Sequence, residues 1–111
     1  MVFHHLIGIY HGAIGVWVID MGLKIVLPDK ISDLDEVIIK LAEHLMGRFE
    51  GEIVCLEHYD GWDGSNVRIV VSDIGRADEI IDAIFEFEKK HGIVGTIIPD
   101  IISVEEHELY R

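Results

Sequence analysis

Two stretches of this chain carry apolar residues at helical spacing, and each is bracketed by β-rich segments. In the first, Leu34, Val37, Ile38, Leu41 and Leu45 recur three or four residues apart, through residue 46. In the second, "ADEIIDAIFEFEKKHG", a stripe of Ile80, Ile81, Ile84 and Phe87 reads as the buried face. Each has start and stop signals. Ser32 and Asp35 form an S-x-x-D capping box, and Asp73 precedes the second helix as an N-cap. Gly47 and Gly92 are stops, and Lys89, Lys90 and His91 complement the negative end of the second helix. A helix apolar on one side has to bury that side against another layer, and the flanking segments supply a sheet.

Residues 2–10, 15–27, "GEIVCLEHYD", "NVRIVVSD" and "IVGTIIPDII" read as strands. Within 15–27, Trp17, Ile19, Met21, Leu23, Ile25 and Leu27 alternate onto one face, with Gly22 as a bulge. The predicted order is β-β-α-β-β-α-β. Without the first strand, right-handed crossovers place both helices on one face of an antiparallel sheet, a ferredoxin-like α+β sandwich. A chain of 111 residues makes one domain. It divides into an extra strand and turn (1–15), the core (16–102) and a tail (103–111) in which Ser103 and Glu106 cap a last helical turn. The uncovered sheet face, with Val16, Val18, Val26, Val54, Leu56 and Val70, is too apolar to stand in water. A second copy, giving a homodimer or higher oligomer, or the N-terminal strand is expected to cover it, with Val16, Val18 and Trp62 at the interface.

Nine Lys/Arg stand against twenty-one Asp/Glu, a formal net charge of −12. Nucleic acids and anionic membranes attract clustered basic side chains, so neither is an expected partner. No apolar run approaches the ~18 residues of a spanning helix, and no basic segment opens a secretory signal, so a cytoplasmic location is expected. Glutamine is absent and Asn66 is the sole asparagine, which points to a thermophilic, archaeal source. Cys55 is the single cysteine, in mid-strand, and reads as a buried structural thiol. The chain lacks a Walker loop, a Rossmann fingerprint, CxxC and G-x-S-x-G, so no cofactor is predicted.

Polar candidates are few. His4 and His5 point to opposite faces of a strand, and His5 and His11 lie about 20 Å apart along one, so the three are not a metal motif. A hairpin turn over 11–15 pairs Tyr10 with Val16 and sets His4 diagonal to Asp20, a candidate acid–base pair. "EHYDGWDGSN" places His58, Asp60 and Asp63 where a divalent ion could bind. Its glycines also suit a wide turn, which does not require Trp62. Gly75 and Arg76 open the second helix, where backbone N–H groups and a guanidinium suit a carboxylate or phosphate.

The succession of strand, turn, "DLDEVIIKLAEHL", strand, hairpin, "NVRIVVSD", "ADEIIDAIFEFEKKHGI" and strand over residues 22–99 resembles an ACT domain. The resemblance implies a dimeric regulatory module that binds an amino acid near its first strand–helix turn, with Pro28, Asp29, Lys30, Ile31 and Ser32 lining the site. The leading expectation is a non-enzymatic oligomeric module with a small ligand. The alternatives are an enzyme using His4/Asp20 or His58/Asp60/Asp63, and an assembly subunit that docks through the Trp62 loop.

Overall fold

The computed structural model describes residues 7–11, 14–18, 23–28 and 32–109, with side chains in the last two segments. The elements are β1 (Ile7–His11), β2 (Ile14–Val18), β3 (Lys24–Pro28), α1 (Asp33–Arg48), β4 (Ile53–His58) and β5 (Val67–Val71). A 3-10 turn (Ile74–Arg76), α2 (Ala77–His91), β6 (Pro99–Ser103) and α3 (Val104–Leu109) complete the chain. The strands form one sheet in sequential order, β1-β2-β3-β4-β5-β6.

That order corrects the ferredoxin-like expectation. Each helix joins neighbouring strands, so β3 pairs with β4 and β5 with β6 in parallel, while β4–β5 is antiparallel. The sheet is mixed, not antiparallel. Both helices pack on the same face, because Ile38, Leu41, Leu45, Ile80, Ile84 and Phe87 belong to one buried cluster with strand residues. The two parallel units advance the same way across the sheet but run in opposite directions. With helices on one face, their crossovers must have opposite hands, so one has the uncommon left-handed sense. Apolar periodicity identifies each element but is silent on which strands become neighbours.

The single strand expected over 15–27 is two strands. β2 lies antiparallel to β3, with Ile14 opposite Pro28 and Val18 opposite Lys24. The proposed Gly22 bulge lies outside the described residues. In the first hairpin Tyr10 faces Gly15, not Val16, and such a one-residue slip exchanges the faces of all partners.

The helix-covered face is a continuous apolar core. Leu23, Ile25 and Leu27 of the β3 region, Leu56 of β4, and Val67, Ile69 and Val71 of β5 are buried against the helices. Leu56 was expected on the other face; a bulge between Ile53 and Cys55 shifts the alternation by one residue. Cys55, Val70 and Ile102 form a small separate cluster on the reverse face, where Val26 and Val104 pack against it. Val104 opens α3, so the chain's own last helix covers part of this face. Among the described residues Glu57, Arg68 and Asp100 share this face, so that part of it is charged and not uniformly apolar. Among the described residues, no helix is long and apolar enough to cross a membrane.

Three of the caps match the sequence, whereas Asp73 caps the 3-10 turn and the N-cap of α2, Arg76, makes no side-chain capping bond. Ser32 and Asp35 form the capping box of α1, and Gly92 ends α2 in a left-handed conformation at φ 68°. The N–H of Glu106 donates to Ser103 Oγ at 3.1 Å, the capping interaction of α3. Gly47 does not end α1; the helix runs through Arg48 and is capped at Phe49.

Candidate functional site

Adjacent residues on a strand face opposite sides. Glu57 and His58 at the end of β4 therefore seed two separate polar constellations at the same end of the sheet.

On the helix side, His58 meets Asp35. The Asp35 side chain is fully buried and its Oδ1 lies 2.6 Å from His58 Nδ1. Its Oδ2 accepts from the backbone N–H of Ser32 at 2.7 Å and from the Ser32 hydroxyl at 2.8 Å. Burial alone pushes this carboxyl up, but the hydrogen bonds from Ser32 and His58 outweigh it and hold its pKa below the usual value. Asp35 is thus both the third residue of a helix cap and the orienting partner of an imidazole. The Nε2 atom of His58 has no hydrogen-bond partner among the described residues.

On the reverse face a charged row crosses three strands. Register sets Glu57 opposite Arg68, and Arg68 beside Asp100. Arg68 lies 3.6 Å from Glu57 and 3.3 Å from Asp100, and its guanidinium stacks 3.7 Å from the Tyr59 ring centroid. His107 of α3 approaches Glu57 at 3.7 Å. Above this row opens a cleft of about 460 Å³ lined by Tyr59, Trp62, Asp63, Asp100, Glu106 and their neighbours. That volume falls within the range of small-molecule sites.

The loop over the cleft is built to hold its shape. The N–H of Tyr59 donates to the Asn66 carbonyl, and that of Gly61 to the Ser65 carbonyl. Asp63 Oδ1 accepts from the Ser65 N–H at 3.1 Å and from its hydroxyl at 2.7 Å. Those bonds hold the Asp63 carboxyl below its usual pKa, so it stays anionic at neutral pH. A Cβ on Gly61 would clash with the side chains of Ser65, Asp63 and Tyr59, so a larger residue there has to displace them. The Asn66 side chain ties the loop to the segment before β6, through Thr96 and Ile98. Trp62 stands at the tip, 96% exposed.

The structure redistributes the residues singled out in the sequence. His4, Asp20, Asp29, Lys30 and Ile31 lie outside the described residues, as do the side chains of Val16 and Val18. His58, Asp60 and Asp63 do not converge: His58 turns to Asp35, Asp63 to Ser65, and Asp60 is exposed. No group of three His, Cys, Asp or Glu side chains among the described residues could hold a metal ion. The anion site at Gly75 and Arg76 is already taken. Gly75 N–H donates to Asp73 Oδ1 at 2.9 Å, and Arg76 pairs with Glu52 and Glu79. Ser32 spends its hydroxyl and N–H on Asp35, and Pro28 ends β3. Cys55 is buried, and burial, with Glu57 nearby, pushes its thiol up to about 12, as an inert structural cysteine requires. The reading along the chain missed Arg68, Asp100 and Glu106. The available signal was a lone charge within each of two apolar strands, "VRIVV" and "PDIIS".

Comparison of the chain with protein-family profiles, curated proteins and solved structures gives no match in any of the three.

Proposed function

We propose that this protein is a non-catalytic binding module that takes a small organic cation, an amine or guanidinium on a flat or aliphatic body, in the reverse-face cleft. The observation that carries the reading is Trp62, an indole held almost wholly in water at the mouth of a cleft whose loop is otherwise tightly bonded. An exposed indole is a costly surface that a ligand would cover, and its face attracts cations. Asp63, Asp100 and Glu106 surround the opening, with Arg68 already engaged by Glu57 and Asp100. The excess of carboxylates favours positive charge. A regulatory role, as the ACT resemblance implies, suits such a module.

The test is a thermal-shift panel of agmatine, phenethylamine, amino acids, nucleotides, phosphate and divalent ions. A cation at 100 times its Kd adds about 2.7 kcal/mol, a rise of several degrees for a domain this size. The rise should vanish in Trp62→Ala. No shift with any cation, or an equal shift in the variant, overturns the reading.

A second reading, general acid–base chemistry, is favoured by the Asp35–His58 pair. A buried carboxylate on Nδ1 fixes the ring and leaves Nε2 to exchange a proton with a substrate. Nitrogen-15 NMR of the imidazole tests it. In this reading the neutral ring carries its proton on Nδ1, facing Asp35, and the opposite tautomer removes it.

A further inference from the structure

α3 is lightly anchored. It starts at Val104, directly after β6 ends at Ser103, with no loop between them. Val104 and His107, three residues apart, share the side turned to the sheet and are half-buried, while Glu105, Glu106, Glu108 and Leu109 are exposed. None of its six residues is fully buried. Six residues are fewer than the ~12–15 an isolated helix needs in water, so α3 owes its form to the sheet beneath it.

A cavity of about 250 Å³ lies between α3 and the sheet. Val104, His107 and Glu108 line its upper side, and Cys55, Val70 and Glu57 its floor. The helix is thus docked over a space, and atoms that face a space forgo their contact energy. Val104 holds it down by packing on Cys55, Val70 and Ile102, a cluster separate from the main core. His107 adds its approach to Glu57 at 3.7 Å. Both links can part without touching the main core, and Glu57 keeps Arg68 at 3.6 Å when His107 leaves. The same helix sets Glu106 on the wall of the larger cleft, so α3 stands between two cavities.

We propose that α3 is a flap, hinged at the Ser103–Val104 junction, that detaches and unravels while the sheet and the two long helices stay folded. Open, it lays the smaller cavity and Cys55 bare and takes one wall from the cleft. Closed, it seals the first and completes the second. Openings of this kind come from the least stable part of a fold, where few apolar contacts are buried. The flap is independent of what the cleft binds.

Cys55 reports the opening, since it is the sole cysteine and is 5% exposed. It lies in β4 between β3 and β5, and its side chain is approached from the reverse face, beneath α3. Labelling of the whole chain with an aromatic disulfide reagent, followed against urea, tests the proposal. Labelling should be slow, and below the unfolding transition its rate should depend on urea far more weakly than global unfolding does. His107→Ala and Val104→Ala should each speed it several-fold without moving the urea midpoint measured by circular dichroism. Immediate labelling of the native chain overturns the closed flap. Labelling with the full urea dependence of unfolding overturns the local opening. So do rates that the two variants leave unchanged, or raise only as the midpoint falls.

Discussion

The two faces of the sheet are built on opposite principles. Beneath α1 and α2 the described strand positions are mainly apolar and packed into one cluster, His58 at the end of β4 being an exception, and the buried carboxylates there, Asp35 and Glu88, are hydrogen-bonded. Among the described residues the reverse face has three buried apolar side chains, a charged row, and a helix of six residues for partial cover. The first face holds the fold together. The second has side chains to spare for recognition.

The largest effects should come from breaking the helix face. Ile69→Ala removes a fully buried side chain and should cost about 2–5 kcal/mol in urea unfolding, whereas Val54→Ala, already 36% exposed, should cost less than about 1 kcal/mol. Next is Asp35→Ala, which leaves the Ser32 N–H and His58 without their acceptor and should cost about 1–3 kcal/mol. Gly61→Ala should deform the cleft loop, because the added Cβ meets Ser65 Oγ, and cation binding should fall while the unfolding midpoint moves little. Trp62→Ala should change stability by no more than about 0.5 kcal/mol and still remove ligand binding.

Acid separates a half-buried imidazole and a buried carboxylate by pH. His44 lies between the helices, with its ring 5.5 Å from Phe87 and its Nε2 buried without a partner. Burial first, then the charges of Arg48 and Lys90, lower its pKa. The unfolded chain therefore takes up this proton before the folded one, and stability should fall as pH drops below about 6.5. Asp35, also lowered, contributes stability that is present above about pH 3.9 and lost as pH falls further. Stability measured against pH should show two separate declines on acidification. His44→Phe should erase the first, and Asp35→Asn should flatten the second.

The sequence made the elements and caps legible because those signals are local. The Ser32–Asp35 box, the Gly92 stop and the apolar strand positions depend on residues within a turn or a pleat of each other. Strand adjacency is not local, and the mixed order with neighbours joined by helices escaped the reading for that reason. The same holds for the site. His58 finds Asp35 twenty-three residues away, and Arg68 finds Asp100 thirty-two away, pairs that no spacing rule contains. The bulge before Cys55 then exchanges the faces of everything after it on β4, which puts Leu56 in the core and Glu57 on the reverse face.

The division between the faces is tested most directly by an amide and indole NMR titration with agmatine. The Trp62 indole N–H and the amides around Tyr59, Arg68 and Asp100 should move together, while those of α1 and α2 stay still. Movement centred on Ser32, Asp35 and His58, or no movement at saturating agmatine, would contradict it.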